Sequence, residues 1–273
     1  MGVASGLSPI FVEPDRVTQG LQAIADNRPV YLADVSLREP DWSVWRHRIA
    51  WLLDHHQSAL SLLGKPRVTI DLSRSGCRLM YDYALEQGWL TASGRWLRLV
   101  TDVERYDLWH PDHSAGQNLH RLLHALGWDW FRQRFAQGWV PFDALEGDNL
   151  ARIIRAERAF VTRHVEQSQR VTLPDGQVLA GVALDDEGSV NEICHTLLTA
   201  GANLVLIVKP DGRLSARSDA SIDAAKLMET AFAGGGHARA AGGRLPNGLS
   251  PGPNALRTVL ETAAAIITPH SAG

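Results

Sequence analysis

Two strand-like runs, each apolar from end to end and each stopping on acidic or imidazole side chains, most constrain what this chain can fold into. PVYLADVSL runs through Leu32 to Asp34 and Ser36, and IAWLLDHH runs through Leu53 to Asp54, His55 and His56. A strand that is apolar on both of its alternating faces is buried on both sides, as in a parallel sheet covered by crossover helices. The segments between fit that reading. DWSVWRHR supplies a helical turn, and RVTIDLS a third strand. SGCRLMYDYALEQG is a helix with Ser75 as N-cap and Gly88 at its close, and RWLRLVTDVERYDLW is a helix with Asp102 near its apolar centre. The expected class is α/β, a parallel-sheet domain over residues 1–148.

From Ser114 to Val171 the pattern is helical almost throughout. LARIIRAERAFVTRHVEQ places Leu150, Ile153, Ile154, Ala156, Phe160 and Val161 three and four residues apart, an amphipathic connector over 149–170. After it the character changes. VTLPDGQVLAGVAL and ANLVLIVKPDGRLSARS each read as strand, Pro-Asp-Gly turn and strand, and SVNEICHTLLTAG is a helix between them. IDAAKLMETAF, another helix, runs into AGGGHARAAGG, and NALRTVLETAAAII closes the chain, so 171–273 is a smaller α/β domain.

Composition narrows the function. The formal charge is −3, whereas proteins that hold long nucleic acid by its phosphates carry a basic excess. A polyanionic substrate must then be small, or be held locally by a metal and a few arginines; long duplexes are excluded. No apolar run approaches the roughly 20 residues of a membrane helix, and the first residues lack the basic-then-apolar pattern of a signal peptide. Cys77 and Cys194 lie far apart in apolar helical segments, which reads as two buried free thiols in a reducing cytoplasm. The tryptophans of WDWFRQRFAQGW read as core and interdomain packing. His110, His113, His120 and His124 form a loose cluster expected to be surface or structural.

In an open parallel sheet, ligands sit beyond the carboxyl ends of the strands. Asp34 and the Asp54-His55-His56 triplet end successive strands, so they should face one crevice, with Asp102 able to join them from the helix that follows the third strand. An aspartate at a strand end is often only a helix cap, and His-His pairs arise by chance on surfaces. The joint pattern, carboxylates with imidazole and no thiolate, suits Mn²⁺ or Mg²⁺, with Fe²⁺, Co²⁺ or Zn²⁺ as alternatives. Two such ions about 3.5–4 Å apart would clamp a phosphate. A second constellation is Gly234, Gly235, Gly236 and His237. Its glycines let backbone N–H groups approach a phosphate, with His237, Arg239 and the Arg217-Ser218 pair adding charge and hydrogen bonds. A helix C-cap followed by a loop would use the same glycines.

Asp54-His55-His56 at a strand end resembles the motif that names the DHH phosphoesterases, and GGGHARAAGG resembles the glycine-rich signature of their associated C-terminal domain. Both lie in the right order over nearly the whole chain. The resemblance implies a metal-dependent phosphodiesterase or phosphatase. Asp34 and His55 would be metal ligands and Asp102 a further one, with Asp107 structural; Asp54 and His56 would orient a ligand and contact the phosphate. Arg217 and Ser218 in LSARS, where alanine replaces the family's leucine, would grip substrate with Gly234 to His237. Within the family, SGCRLMYDYA followed by VTDVERYDLW looks most like nanoRNases and nucleotide phosphodiesterases. That implies Mn²⁺, a short RNA or small nucleotide as partner, no membrane, and leaves room for a homodimer; polyphosphatase or pyrophosphatase chemistry would use the same ligands. The family's first motif, an Asp-x-Asp-Gly-type loop, has no counterpart: MGVASG resembles the residues just after its second aspartate, with Met1 in the aspartate's place. Three expectations result: a chain that starts late, a one-metal site, or a member that binds nucleotides without cutting them.

Overall fold

The computed structural model describes residues 8–108, 110 and 113–268, so the MGVASG segment lies outside the described residues. Chain contacts divide it into two compact units, Met1–Ala151 and Arg152–Gly273. The division falls inside one long helix, within the expected connector, and the part of that helix from Arg152 onward belongs to the second unit.

In the first unit a short helix α1 (Val17–Ala23) precedes β1 (Val30–Ala33), α2 (Glu39–Trp45), β2 (Ile49–Asp54) and β3 (Val68–Ile70). The strands form a parallel sheet in the order β1-β2-β3, with Leu32 beside Leu52 and Leu53 beside Thr69. Their continuous apolar character has a direct cause: both faces are covered. Leu32, Ile49 and Leu52 pack with Val17, Leu21, Trp42 and Leu62 on one side. Leu53 packs with Leu79 and Tyr83 of α3 (Gly76–Glu86) on the other. Ser75 caps α3 by accepting from the Arg78 N–H at 3.1 Å, and Gly88 leaves it at φ 66°. Helices α4 (Gly94–Asp107) and α5 (Ser114–Arg134) complete the unit around Tyr81, Trp96, Leu99 and Leu119.

The helical stretch expected from Ser114 to Val171 is interrupted. Gly127 takes φ 84° and ψ 173° and kinks α5, and 135–143 is non-helical before α6 (Ala144–Glu166) begins. That restart has a reciprocal cap. The Glu146 N–H donates to Asp143 Oδ1 at 2.9 Å, and the Asp143 N–H donates to Glu146 Oε2 at 2.8 Å. Glu146 is buried, and its carboxylate also accepts from Arg134 Nε at 2.7 Å and Trp130 Nε1 at 3.1 Å.

The second unit is a six-stranded mixed sheet in the order β4-β5-β6-β7-β9-β8. Its strands are β4 (Gln169–Thr172), β5 (Val178–Ala183), β6 (Leu204–Val208), β7 (Arg213–Ser218), β8 (Gly235–His237) and β9 (Ala240–Arg244). Both Pro-Asp-Gly segments turn antiparallel hairpins, β4-β5 and β6-β7, while α7 (Val190–Thr199) makes the parallel crossover from β5 to β6. Leu204, Leu206, Leu214, Ala216 and Ala241 face α8 (Ala224–Ala231) and α9 (Pro253–Ile267). Ala180, Val182, Val205 and Ile207 face α7 and the second-unit part of α6 through Ile193, Cys194, Phe160 and Val161. Among the described residues no helix is long and apolar enough to cross a membrane. Cys194 is buried and Cys77 half-buried, both free, and burial pushes each thiol up to about 12.

Candidate metal centre

The strand ends of the first unit converge as the topology requires. Asp34 directly follows β1 in a left-handed conformation, φ 66°, uncommon for a residue with a side chain. Its N–H donates to the Leu53 carbonyl at 2.9 Å, which fixes it beside the end of β2. Gly76 makes room for it: a Cβ at that position would stand 2.6 Å from Asp34 Cβ and Oδ1 and 2.7 Å from its Cα.

Asp54 is fully buried at the end of β2. Its Oδ1 accepts from the His55 N–H at 2.7 Å, the His56 N–H at 3.2 Å and His56 Nδ1 at 2.7 Å, whereas Oδ2 is buried without a hydrogen bond. Burial works to raise this carboxyl, but His56, Ser36 and the His55 N–H outweigh it and hold it below the usual range. By engaging Nδ1, Asp54 fixes the orientation of the His56 ring, as carboxylate partners of metal-site histidines do.

His55 is the centre of the cluster. Its side chain is 11% exposed, and Nε2 lies 3.0 Å from Asp34 Oδ1 and 3.3 Å from Asp107 Oδ2. A buried ring nitrogen thus faces two carboxylates at ion-pair distance. The Asp34 carboxylate chiefly raises the His55 pKa, against burial and with help from Asp107. Asp107 is itself raised, first by burial and then by the charge of Asp34. Two carboxylates gathered on one imidazole in this way fit a divalent cation with oxygen and imidazole ligands. Asp34, His55 and His56 can each also present a ligand atom within 4.8 Å of the others.

The carboxylate that α4 delivers to His55 is therefore Asp107, not the expected Asp102. The two stand five residues apart, so their side chains leave an α-helix about 140° apart around its axis. Asp102 is 15% exposed, with its buried Oδ2 3.7 Å from Arg98 Nε. Its backbone carbonyl lies under α5, where a Cβ on Gly116 would stand 2.1 Å from it. One sequence signal could have found Asp107. It is the last residue of α4, at the negative end of the helix dipole, where an aspartate is disfavoured unless something else requires it.

The second constellation is part of the sheet of the second unit. Gly235–His237 is strand β8, a tight hairpin with β9, and Gly234 sits where a Cβ would be 1.9 Å from the Gly242 carbonyl oxygen. Register sets Arg217, Ala240 and His237 side by side across three strands. On the sheet face that carries Arg217, β7 and β9 present Arg213, Ser215, Ala240, Gly242 and Arg244, all half-buried or exposed. The result is an open strip of small residues bordered by arginines. Ser218, expected beside Arg217 at the substrate, faces the opposite way. It is 3% exposed, and its hydroxyl lies 2.7 Å from the Ile222 carbonyl and 3.1 Å from that of Ala238, tying the β7 end to the β8-β9 turn. Arg239 is exposed in that turn, and its carbonyl accepts from the Ser218 N–H. His120 and His124 are exposed with rings 4.4 Å apart, His120 lying 5.1 Å from Tyr106.

Residues 178–268 match the DHHA1 domain. No curated protein matches the sequence at a significant level. Among solved structures, the pGpG-specific phosphodiesterase PggH from Vibrio cholerae is similar with a TM-score of 0.50 and 14% identity, covering 94% of this chain and 89% of that one. RecJ in complex with Mn²⁺ from Thermus thermophilus is similar with a TM-score of 0.50 and 17% identity, covering 94% of this chain and 47% of that one. This chain thus spans about half the length of RecJ. At such identities the likeness is one of fold. Residues 178–268 therefore carry a DHHA1 domain, and the chain shares its fold with PggH and RecJ.

Proposed function

We propose that the chain is a divalent-metal-dependent phosphoesterase of short oligonucleotides or small nucleotides, with Mn²⁺ the first ion to test and Mg²⁺, Co²⁺ and Fe²⁺ its alternatives. The observation that carries this reading is the buried His55 Nε2, 3.0 Å from Asp34 Oδ1 and 3.3 Å from Asp107 Oδ2. A cation held by Asp34, His55 and Asp107 would polarise a phosphoryl oxygen and offset its negative charge. The protein's own groups do the rest. Asp54 fixes the His56 ring, which then offers Nε2 to a phosphate oxygen from a side chain 38% exposed. Arg217 supplies charge on the open strip of the second unit, and β8 and β9 supply backbone close to the surface because their residues are glycine and alanine. The formal charge of −3 favours short substrates over long nucleic acid, since this strip is a local basic feature. The fold shared with a pGpG-specific phosphodiesterase agrees with that substrate class.

The test is a substrate panel with Mn²⁺: the RNA dinucleotide pGpG, an RNA pentanucleotide, 3′-phosphoadenosine 5′-phosphate, cyclic di-AMP and pyrophosphate. Turnover of the dinucleotide that disappears in His55→Ala supports the reading. Turnover of pyrophosphate alone would move the assignment to a pyrophosphatase. Tight nucleotide binding without turnover of any substrate would leave a nucleotide-binding protein in place of an enzyme.

A further inference from the structure

Some half-buried arginines of this fold are paired with carboxylates, whereas Arg217, like Arg48, is bonded to neutral groups. Arg134 meets Glu146, and Arg78 meets Asp82 and Glu104. Arg217 donates through Nη1 to the Ala216 carbonyl at 2.8 Å and through Nη2 to Asn191 Oδ1 at 2.9 Å, and among the described residues no carboxylate pairs with it. A guanidinium partly withdrawn from water keeps a neutral partner at a cost unless an anion completes it.

The neutral partner is firmly placed. Asn191 is the second residue of α7, and the loop before it is held by the second-unit part of α6. His164, fully buried, sets Nε2 3.0 Å from Asp185 Oδ1, and the Ser189 hydroxyl donates to Glu157. Gly188 lies so close to Phe160 that a Cβ there would stand 2.3 Å from the ring.

We propose that Asn191 is a positioning residue for Arg217. Its amide oxygen fixes the guanidinium in one orientation while leaving the positive charge uncompensated, for a phosphate of the substrate. This inference rests on the reading of Arg217 as a phosphate contact.

Asn191→Asp separates this role from a structural one. It keeps the shape and the acceptor and adds a negative charge beside Nη2. An aspartate in the first turn of α7 also favours the helix. The full chain is titrated with a 5′-phosphorylated RNA dinucleotide, in EDTA and again with Ca²⁺, by calorimetry. Arg217→Gln is expected to weaken binding about tenfold or more, and Asn191→Asp to match it while melting no lower than wild type. Asn191→Leu, which removes the acceptor without adding charge, is expected to weaken binding about three- to tenfold, and it serves as the test if the aspartate variant misfolds. Wild-type affinity in Asn191→Asp or in Asn191→Leu, with Arg217→Gln impaired, overturns the inference and leaves the Arg217 reading intact. Unimpaired Arg217→Gln, or no binding by wild type in either condition, overturns the Arg217 reading and the inference with it.

Discussion

Gly76 and Gly94 are the same position in two helices, and the structure assigns opposite outcomes to the same substitution. Each is the first residue of its helix, and each follows a serine N-cap, Ser75 for α3 and Ser93 for α4. A Cβ at Gly94 meets nothing within 4 Å, whereas one at Gly76 stands 2.6 Å from Asp34 Cβ and 2.7 Å from Asp34 Cα. Ordinary carbon contacts begin near 3.4 Å, so about 0.8 Å must be found at Gly76. Rotating the Asp34 side chain cannot supply it, because the Cα itself is in the way. Overpacking of this kind costs about 1–3 kcal/mol. Gly94→Ala removes unfolded-state entropy without a clash and gains about 0.5 kcal/mol. The two variants should then differ by about 2.5 kcal/mol, which in a unit of this size is about 5–10 °C in the melting of the first unit. Because Asp34 moves, Gly76→Ala should also lower Mn²⁺ affinity about 10–100-fold, while Gly94→Ala leaves it alone. Differential scanning calorimetry and a Mn²⁺ titration read both effects. Equal melting temperatures and equal affinities in the two variants would refute the packing of Gly76 on Asp34.

Glu146 offers a pH test away from the candidate metal site. Burial works to raise its carboxyl, yet Arg134, the Asp143 N–H and Trp130 prevail and hold it below the usual value. The lowered folded-state pKa means that its contribution is complete above the unfolded value of 4.5 and is lost as pH falls through the folded value. Glu146→Gln should cost about 2 kcal/mol at neutral pH and flatten the acid limb of the first unit's melting curve; an unchanged acid limb would remove Glu146 from the cause. In the glycine-rich hairpin, Gly234→Ala drives a Cβ into the Gly242 carbonyl, whereas a Cβ at Gly235 meets only the Glu229 side chain at 3.7 Å. Gly234→Ala should therefore destabilise the second unit by about 3 kcal/mol or more and Gly235→Ala by far less, and equal denaturation midpoints would contradict the hairpin geometry.

Much of this architecture was legible because its signals are local. Leu32, Leu52 and Leu53 are apolar on both faces of their strands because both faces are covered, and that continuous pattern is visible without a structure. Ser75 and the two Pro-Asp-Gly turns act within a few residues of themselves, so the sequence carries them openly. The convergence of Asp34 with the Asp54 triplet followed from strand polarity alone. Asp107 was hidden by a choice that depends on helix rotation: Asp102 sits in the more apolar stretch of α4, but the face that meets His55 is fixed by tertiary packing. Ser218 shows the same limit in a strand. Adjacent residues point to opposite faces, so the neighbour of Arg217 is turned into the fold. Gly235 to His237 do not look like a strand because glycine is a poor strand former, and only the pairing with Ala240–Gly242 makes them one. The helix interruption between Arg134 and Ala144 was masked by the aromatic residues of WDWFRQRFAQGW, whose Trp128, Phe131 and Phe135 keep helical spacing.

The most direct test is a calorimetric Mn²⁺ titration of the full chain beside three variants, His55→Ala, Asp107→Asn and Asp102→Asn. If Asp34, His55 and Asp107 hold the ion, His55→Ala and Asp107→Asn lose affinity by about tenfold or more, while Asp102→Asn binds like wild type. Loss of Mn²⁺ binding in Asp102→Asn with Asp107→Asn unaffected, or no saturable binding by the wild-type chain, would contradict the site.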